Sequence, residues 1–231
     1  MKRRFDPTIL EMMDRPQPVS VELERDLKRI RQLNRWFGSY HLVLGFIRRW
    51  IRPADELRVV DLATGSGDIP RLIVDYARKI HAKVEIDAVD RQSATLEIAR
   101  NLSANYPEIS YREANILEWN SVKGYDITLC TLALHHFGGE DAVRLLCKCR
   151  ELSKGFVLVS DLRCSFFLFA GVYLLTTLIF REKMTRYDAR LSAFRAFSFS
   201  EMGDLAVRAG WENFGHKKFR FARQAIWLEA A

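Results

Sequence analysis

Cysteine is scarce and poorly placed for cross-linking. Cys130, Cys147, Cys149 and Cys164 sit mostly inside apolar segments, with neither the paired spacing of a zinc site nor the density of a secreted disulfide scaffold. That excludes a disulfide-stapled fold and points to a reduced, cytoplasmic compartment. A secretory leader is not expected either, because the basic start MKRRF is followed by Asp6, Glu11 and Asp14 where an apolar core would lie. No internal repeat and no low-complexity linker interrupts the 231 residues. The longest apolar run, CSFFLFAGVYLLTTLIF at 164–180, would span roughly 25 Å as a helix, short of a hydrocarbon layer of about 30 Å. A membrane span is therefore not expected.

What is present suits one globular domain with an appendage: 48% of the residues are hydrophobic, ample for a core. The net charge of +7 is uneven. Lys and Arg outnumber Asp and Glu by 11 to 6 over residues 1–50 and by 11 to 7 over 161–231, whereas 51–160 carries 14 against 16. A basic excess at both ends can attract an anionic surface, although a solvated helix face explains it equally.

Residues 20–51 place Leu23, Leu27, Ile30 and Leu33, then Leu42, Leu44, Ile47 and Ile51, at helical spacing, which predicts two amphipathic helices broken near FGSY. From Leu57 the pattern becomes short apolar runs (LRVVDL, VEIDAVD, ISYREA, YDITLCTLAL, GFVLVSDL) alternating with helical stretches near 67–80, 92–103 and 139–152. That alternation predicts βαβ units and a doubly wound parallel sheet. SFSEMGDLAVRAGW reads as a helix beginning at Ser198 or Ser200, and RFARQAIWL as a strand of a terminal antiparallel pair.

The turn DLATGSGDIP follows the first core strand, where a doubly wound sheet binds its ligands. Counting from Gly65, the third glycine of a dinucleotide fingerprint is replaced by Pro70, and no Lys-Ser or Lys-Thr pair makes a P-loop. A pyrophosphate is thus disfavoured. Asp90, ending the next strand in DAVD, offers acceptor oxygens that match the cis diol of a ribose, which suggests a nucleoside without pyrophosphate.

VVDLATGSGDIP resembles the first motif of class I S-adenosylmethionine (SAM) methyltransferases. The form DLATGSGD looks like the ubiquinone/menaquinone-biosynthesis C-methyltransferase group and its small-molecule relatives. The likeness runs on through Asp90, REANILEW, YDITLCTLALHHF and FSFSEMGDLAVRAGW, and covers roughly residues 57–228. It implies a seven-stranded, mostly parallel, Rossmann-like sheet over 56–231, a helical lid at 1–55 and an apolar helical insert at 164–182. It implies SAM as cofactor, with Asp61, Gly65 and Gly67 at the methionine part, Asp90 on the ribose, Asn115 facing the adenine amino group and Ile116 packing the ring. Ala63, Asp68 and Arg91 complete the cofactor-binding set. Ala63 stands where the wider family usually has glycine, and Glu113 competes with Asn115 for the adenine position.

Methyl transfer is an in-line displacement, and a phenol, hydroxyl or acidic carbon must also lose a proton. His135 and His136, just past the fourth strand, are candidate bases, and Asp161, ending the fifth, is a further one; each could instead be structural. Neither the histidines nor the aspartates are spaced as a metal set, and Cys147 and Cys149 point to different faces of a helix, so no metal is expected. The apolar run at 164–180 is a buried helix, a wall of an apolar acceptor pocket, or a peripheral membrane contact with Arg163, Arg181 and Lys183 at its ends. Trp36, Phe37 and Tyr40, and the segment RYDARLSAFRAF, are further candidates for the acceptor side, the latter equally readable as a solvated loop.

The expected function is transfer of a methyl group from SAM to an oxygen or carbon of an apolar small molecule, phenolic, polyketide or quinone-like, by a monomer or homodimer. A nucleic-acid methyltransferase is the alternative, but no Asn/Asp-Pro-Pro-aromatic motif for a flipped base ends the fourth strand, so nucleic acid is not an expected partner. A non-catalytic scaffold is the other.

Overall fold

The computed structural model describes residues 3–180 and 182–229; Arg181 lies outside the described residues. The chain opens with a segment that makes no regular element, then α1 (Val21–Trp36) and α2 (Ser39–Trp50). There follow β1 (Glu56–Leu62), α3 (Asp68–Lys79), β2 (Lys83–Asp90), α4 (Ser93–Leu102), β3 (Ile109–Glu113) and β4 (Tyr125–Thr131). A 3₁₀ turn at Leu134–His136 leads into α5 (Gly139–Leu152), β5 (Ser153–Leu162), α6 (Phe166–Leu178), α7 (Lys183–Arg195), α8 (Phe199–Arg208), β6 (Gly215–Phe219) and β7 (Arg223–Leu228).

One seven-stranded sheet runs β3-β2-β1-β4-β5-β7-β6. The first five strands are parallel, and β7 lies antiparallel between β5 and β6. Successive residues of the central strands go to opposite, equally dry faces. Val59, Ile127, Leu129 and Leu158 pack under α2 and α3, while Val60, Cys130, Val157 and Val159 pack under α5 and α8. This is why these strands read as continuous apolar runs rather than alternating ones. The predicted doubly wound fold is the one observed.

Local signals account for several boundaries. Ser198 caps α8 and, with Glu201, closes a reciprocal capping box, which settles the choice between Ser198 and Ser200. Pro70 falls in the first turn of α3, where its missing N–H would have had no helical partner. RYDARLSAFRAF is not a loop, for residues up to Arg195 belong to α7 and pack along α6. α2 buries Val43, Phe46, Ile47 and Trp50 against the sheet layer, whereas α1 lies over the mouth of a cavity described below.

Strand order reverses between β1 and β4, so their carboxyl ends diverge and open a crevice. The residues just beyond them, Ala63 (φ 59°) and Leu132 (φ 55°), both take left-handed backbone, turning the chain sharply away on either side. Gly67 is also left-handed (φ 70°), and a Cβ there would come within 2.1 Å of the Tyr111 hydroxyl. Gly67→Ala is expected to destabilise the fold by about 2 kcal/mol or more, combining the left-handed penalty with displacement of Tyr111. Ala63→Gly removes such a penalty and is expected to be neutral or stabilising by about 1 kcal/mol. Urea unfolding of the two variants beside the parent chain checks both.

Candidate active site

The crevice widens into a cavity of about 1020 Å³. Its floor is built from strand ends: Ala63 to Ser66 after β1, Asp90 and Arg91 after β2, Asn115 and Ile116 after β3, and Thr131 to Ala133 after β4. The loop after β1 is tied down by the Thr64 N–H donating to the Val89 carbonyl at 3.0 Å and the Gly67 N–H donating to the Thr64 carbonyl at 3.0 Å.

Asp90 accepts from the Gly65 N–H at 2.9 Å and from the Gln92 N–H at 3.0 Å, so the acid that lines the cavity also braces the loop. Burial raises its carboxyl above the usual range, against those two donors. Asp61 stands behind the loop rather than in the lining. It is 1% exposed, its Oδ2 accepts from the Thr64 hydroxyl at 2.7 Å, and its Oδ1 is buried without a partner among the described residues. Burial, with Asp68 and Asp90 nearby, pushes its pKa to about 8 against the Thr64 hydrogen bond.

The remaining positions expected at the cofactor are distributed unevenly. Asp68 lines the cavity, and its Oδ2 accepts from the Tyr40 hydroxyl at 2.8 Å and the Asn34 amide at 3.3 Å, joining α1 and α2 to the loop. Ile116 is buried at the cavity edge. The Asn115 amide is engaged locally, donating to Glu118 at 2.8 Å while accepting from the Leu117 N–H at 3.1 Å. Arg91 lines the rim and reaches Asp14 at 3.9 Å. Gly67 lies behind the lining, and the competing Glu113 is exposed outside it.

The roof comes from distant parts of the chain. The opening segment crosses the crevice, fixed by Asp188 of α7, which accepts from the Met12 N–H at 2.6 Å and the Met13 N–H at 3.0 Å. Arg195 donates to the Asp6 carbonyl at 3.2 Å and to that of Ile9. α6 turns Leu168, Val172 and Leu175 into the cavity, supporting the pocket-wall reading of the apolar run, while Phe166, Leu174, Leu178 and Ile179 remain exposed on its outside. Among the described residues no helix is long and apolar enough to cross a membrane. Phe37 lines the cavity, but Trp36 is largely exposed and packs near Phe180.

The histidines lie where the opening segment meets the end of β4. His135 is buried, its Nδ1 is 2.7 Å from Asp161 Oδ1, and its backbone N–H donates to Asp161 Oδ2 at 2.7 Å. Burial would raise the Asp161 carboxyl, but the His135 ring and the N–H donors hold it below the usual range. Asp161 is thus the acceptor, and the His135 Nδ1 carries the hydrogen. His136 Nδ1 is 2.7 Å from Asp14 Oδ2. Burial would lower this ring's pKa, but the carboxylates of Glu11 and Asp14 outweigh it and carry it to about 9. At neutral pH His136 therefore holds both ring protons and, in this state, has no site at which to accept another.

Residues 59–155 match the family described as "Methyltransferase domain". A 2-phytyl-1,4-naphtoquinone methyltransferase from Thermosynechococcus vestitus is 30% identical over 81 residues, a segment covering 35% of each chain. The match thus spans about a third of that relative's length. Magnesium protoporphyrin IX methyltransferase from Synechocystis PCC 6803, solved with S-adenosylhomocysteine (SAH) bound, superposes with a TM-score of 0.59 at 13% identity, over 93% of this chain and 90% of that one. A SAM-dependent methyltransferase from Aquifex aeolicus gives 0.61 at 14% identity, over 88% and 96%. Residues 59–155 thus carry a methyltransferase domain, on the fold of the class I SAM-dependent methyltransferases. These findings support SAM as the cofactor.

Two residues of the cavity carried no sequence signal of function. Glu11 and Asp14 read only as breaks in a would-be leader, yet they are the carboxylates that face the histidines, across 122 residues of chain in the case of Asp14 and His136. Their one trace is position: acids inside the apolar stretch ILEMMD, where burial demands a partner.

The protein should also show the protonation of Asp61 in its stability. Between the unfolded value near 4 and the folded value of about 8, the native state keeps a proton that the unfolded chain has lost. Stability of the ligand-free protein from this group therefore falls as pH rises from about 4 to about 8, by at most about 1.4 kcal/mol per pH unit. Asp61→Asn should flatten that part of the profile, as read by urea midpoints across pH.

Proposed function

We propose that this chain transfers the methyl group of SAM to an oxygen or carbon of an apolar small molecule that carries an ionisable hydroxyl, of phenolic or quinone-like character. The observation that carries this reading is the continuity of the cavity. The loop with Asp90, the wall of α6, Phe37 and Leu27, and the two histidines all line it, so a cofactor and an apolar acceptor share one space.

The residues suit the cofactor. Asp61 Oδ1, buried behind the loop without a partner among the described residues, keeps a hydrogen-bonding position unused beside the loop, and Asp90 presents its carboxyl to the cavity while its N–H donors fix its orientation. Bound there, the sulfonium supplies an activated methyl group. Asp90 holds the ribose diol, and Ile116 flanks the base. The opening segment, α1, α6 and α7 exclude water from the acceptor and align it. His135, with Nδ1–H committed to Asp161, has its remaining lone pair at Nε2, the atom able to take a proton from an acceptor hydroxyl.

The relative acting on 2-phytyl-1,4-naphthoquinone and the porphyrin methyltransferase neighbour support a large apolar acceptor. The exposed rings of α6, Phe166 at 73% on its outside and Phe167 at 84% on the cavity lining, support peripheral contact with a membrane from which such an acceptor would enter.

Calorimetry with SAH is the direct test. The parent chain should bind it, and Asp90→Ala should weaken binding by about 10–100-fold, the equivalent of a charged hydrogen-bonding pair at about 1.5–3 kcal/mol. A parent chain that binds neither SAM nor SAH sinks the reading. A screen of phenols and quinols scored by SAH release should favour members with apolar tails over their truncated counterparts.

A further inference from the structure

Three side chains at the histidine end of the cavity converge in a way that acceptor deprotonation alone does not require. His135 Nε2 is 3.9 Å from Glu11 Oε1, and His136 Nε2 is 3.9 Å from Glu11 Oε2. One ligand atom from each of the three residues lies within 4.8 Å of the others. Each imidazole uses its Nδ1 on a carboxylate, Asp161 for His135 and Asp14 for His136, both at 2.7 Å. That leaves both Nε2 atoms facing the third carboxylate beyond hydrogen-bond reach. Glu11 is itself held, since the Ser192 hydroxyl donates to its Oε1 at 2.8 Å.

We propose that Glu11, His135 and His136 form a binding site for a divalent transition-metal ion of the zinc type, with an open position toward the acceptor cavity. The ligand chemistry is two imidazoles and one carboxylate, a set that zinc accepts when a fourth position is left for water or substrate. Bonds of about 2.0–2.2 Å at tetrahedral angles set two ligand atoms roughly 3.4 Å apart. The 3.9 Å separations are wider by about 0.5 Å, and side-chain adjustments of about 1 Å gather all three atoms around one ion.

The outer partners match as well. A metal-binding histidine characteristically gives its other ring N–H to a carboxylate, and here both do. Charge agrees: three carboxylates, Glu11, Asp14 and Asp161, gather here, with Arg195 3.9 Å from Glu11 Oε1 and Arg91 3.9 Å from Asp14 Oδ2, so a divalent ion can take the place of the proton on His136. The expectation of no metal rested on sequence spacing, and the third ligand comes from the opening segment, which spacing does not reveal.

The inference deepens the proposed function at one step. Binding the ion releases the His136 Nε2 proton to solvent, so that both Nε2 lone pairs serve as ligands, and the acceptor hydroxyl occupies the open position. There its pKa falls, and its proton is lost to bulk solvent as the acceptor binds instead of passing to His135.

The test is binding of Co²⁺ and Zn²⁺ to the full chain after dialysis against a chelator. One equivalent should bind, with the visible absorption of low-symmetry Co²⁺ bleached by added Zn²⁺. Glu11→Gln and His136→Ala should each lose more affinity than the roughly 10–100-fold expected of Asp161→Asn, which removes only an orienting partner. His41→Ala, on an exposed histidine of α2, should bind as the parent does. Circular dichroism and SAH calorimetry establish that each variant is folded with its cofactor end intact. Folded parent that binds SAH but takes up no stoichiometric metal overturns the proposal while leaving the methyltransferase reading standing. So does metal uptake that Glu11→Gln and His136→Ala leave unchanged.

Discussion

Glu11 is 2% exposed, and its carboxylate lies among groups from three separate parts of the chain: His135 and His136 after β4, and Ser192 and Arg195 on α7. Water gives this charge almost no help, so it must be satisfied by those partners. The opening segment makes no helix or strand of its own; it is tethered to α7 through Asp188 and Arg195, and beyond β2 and β4 through Asp14, which meets Arg91 and His136. The buried charges are thus what converts an open crevice between β1 and β4 into a closed cavity. Removing one partner of such a set typically costs about 3–5 kcal/mol, because another charge is left buried alone.

At the other end the constraint is conformational. The chain must turn away from the ends of β1 and β4 within one residue, and it does so through Ala63 and Leu132 in left-handed backbone. Asp90 stabilises that arrangement by accepting the Gly65 N–H, which also orients its carboxyl toward the cavity. Fold and ligand site therefore use the same hydrogen bond. Tyr40 and Asn34 extend the connection by donating to Asp68, so the N-terminal helices are registered against the loop they cover.

α6 resolves into two faces. Leu168, Val172 and Leu175 wall the cavity, while Phe166, Leu174, Leu178 and Ile179 face outward. A run that is apolar all round thus serves a pocket and a surface together. Sequence periodicity cannot separate these, since hydropathy is equal on both sides and only the position of α7 decides which face is covered.

The sequence by itself determined the alternating strands and helices, the place of the loop after β1, the acid ending β2 and the antiparallel close of the sheet. Each of these depends on local rules: a period of two or 3.6, a cap, a glycine where the backbone is left-handed, a proline that tolerates only a first turn. Only the tertiary structure decided that Asp61 stands behind the loop rather than in the lining, that the Asn115 amide is already engaged, and that His136 is held protonated. It alone brought Glu11 and Asp14 to the histidines. Those outcomes depend on burial and on electrostatic partners more than a hundred residues away in the chain, and no local pattern encodes the field at a side chain that distant segments enclose.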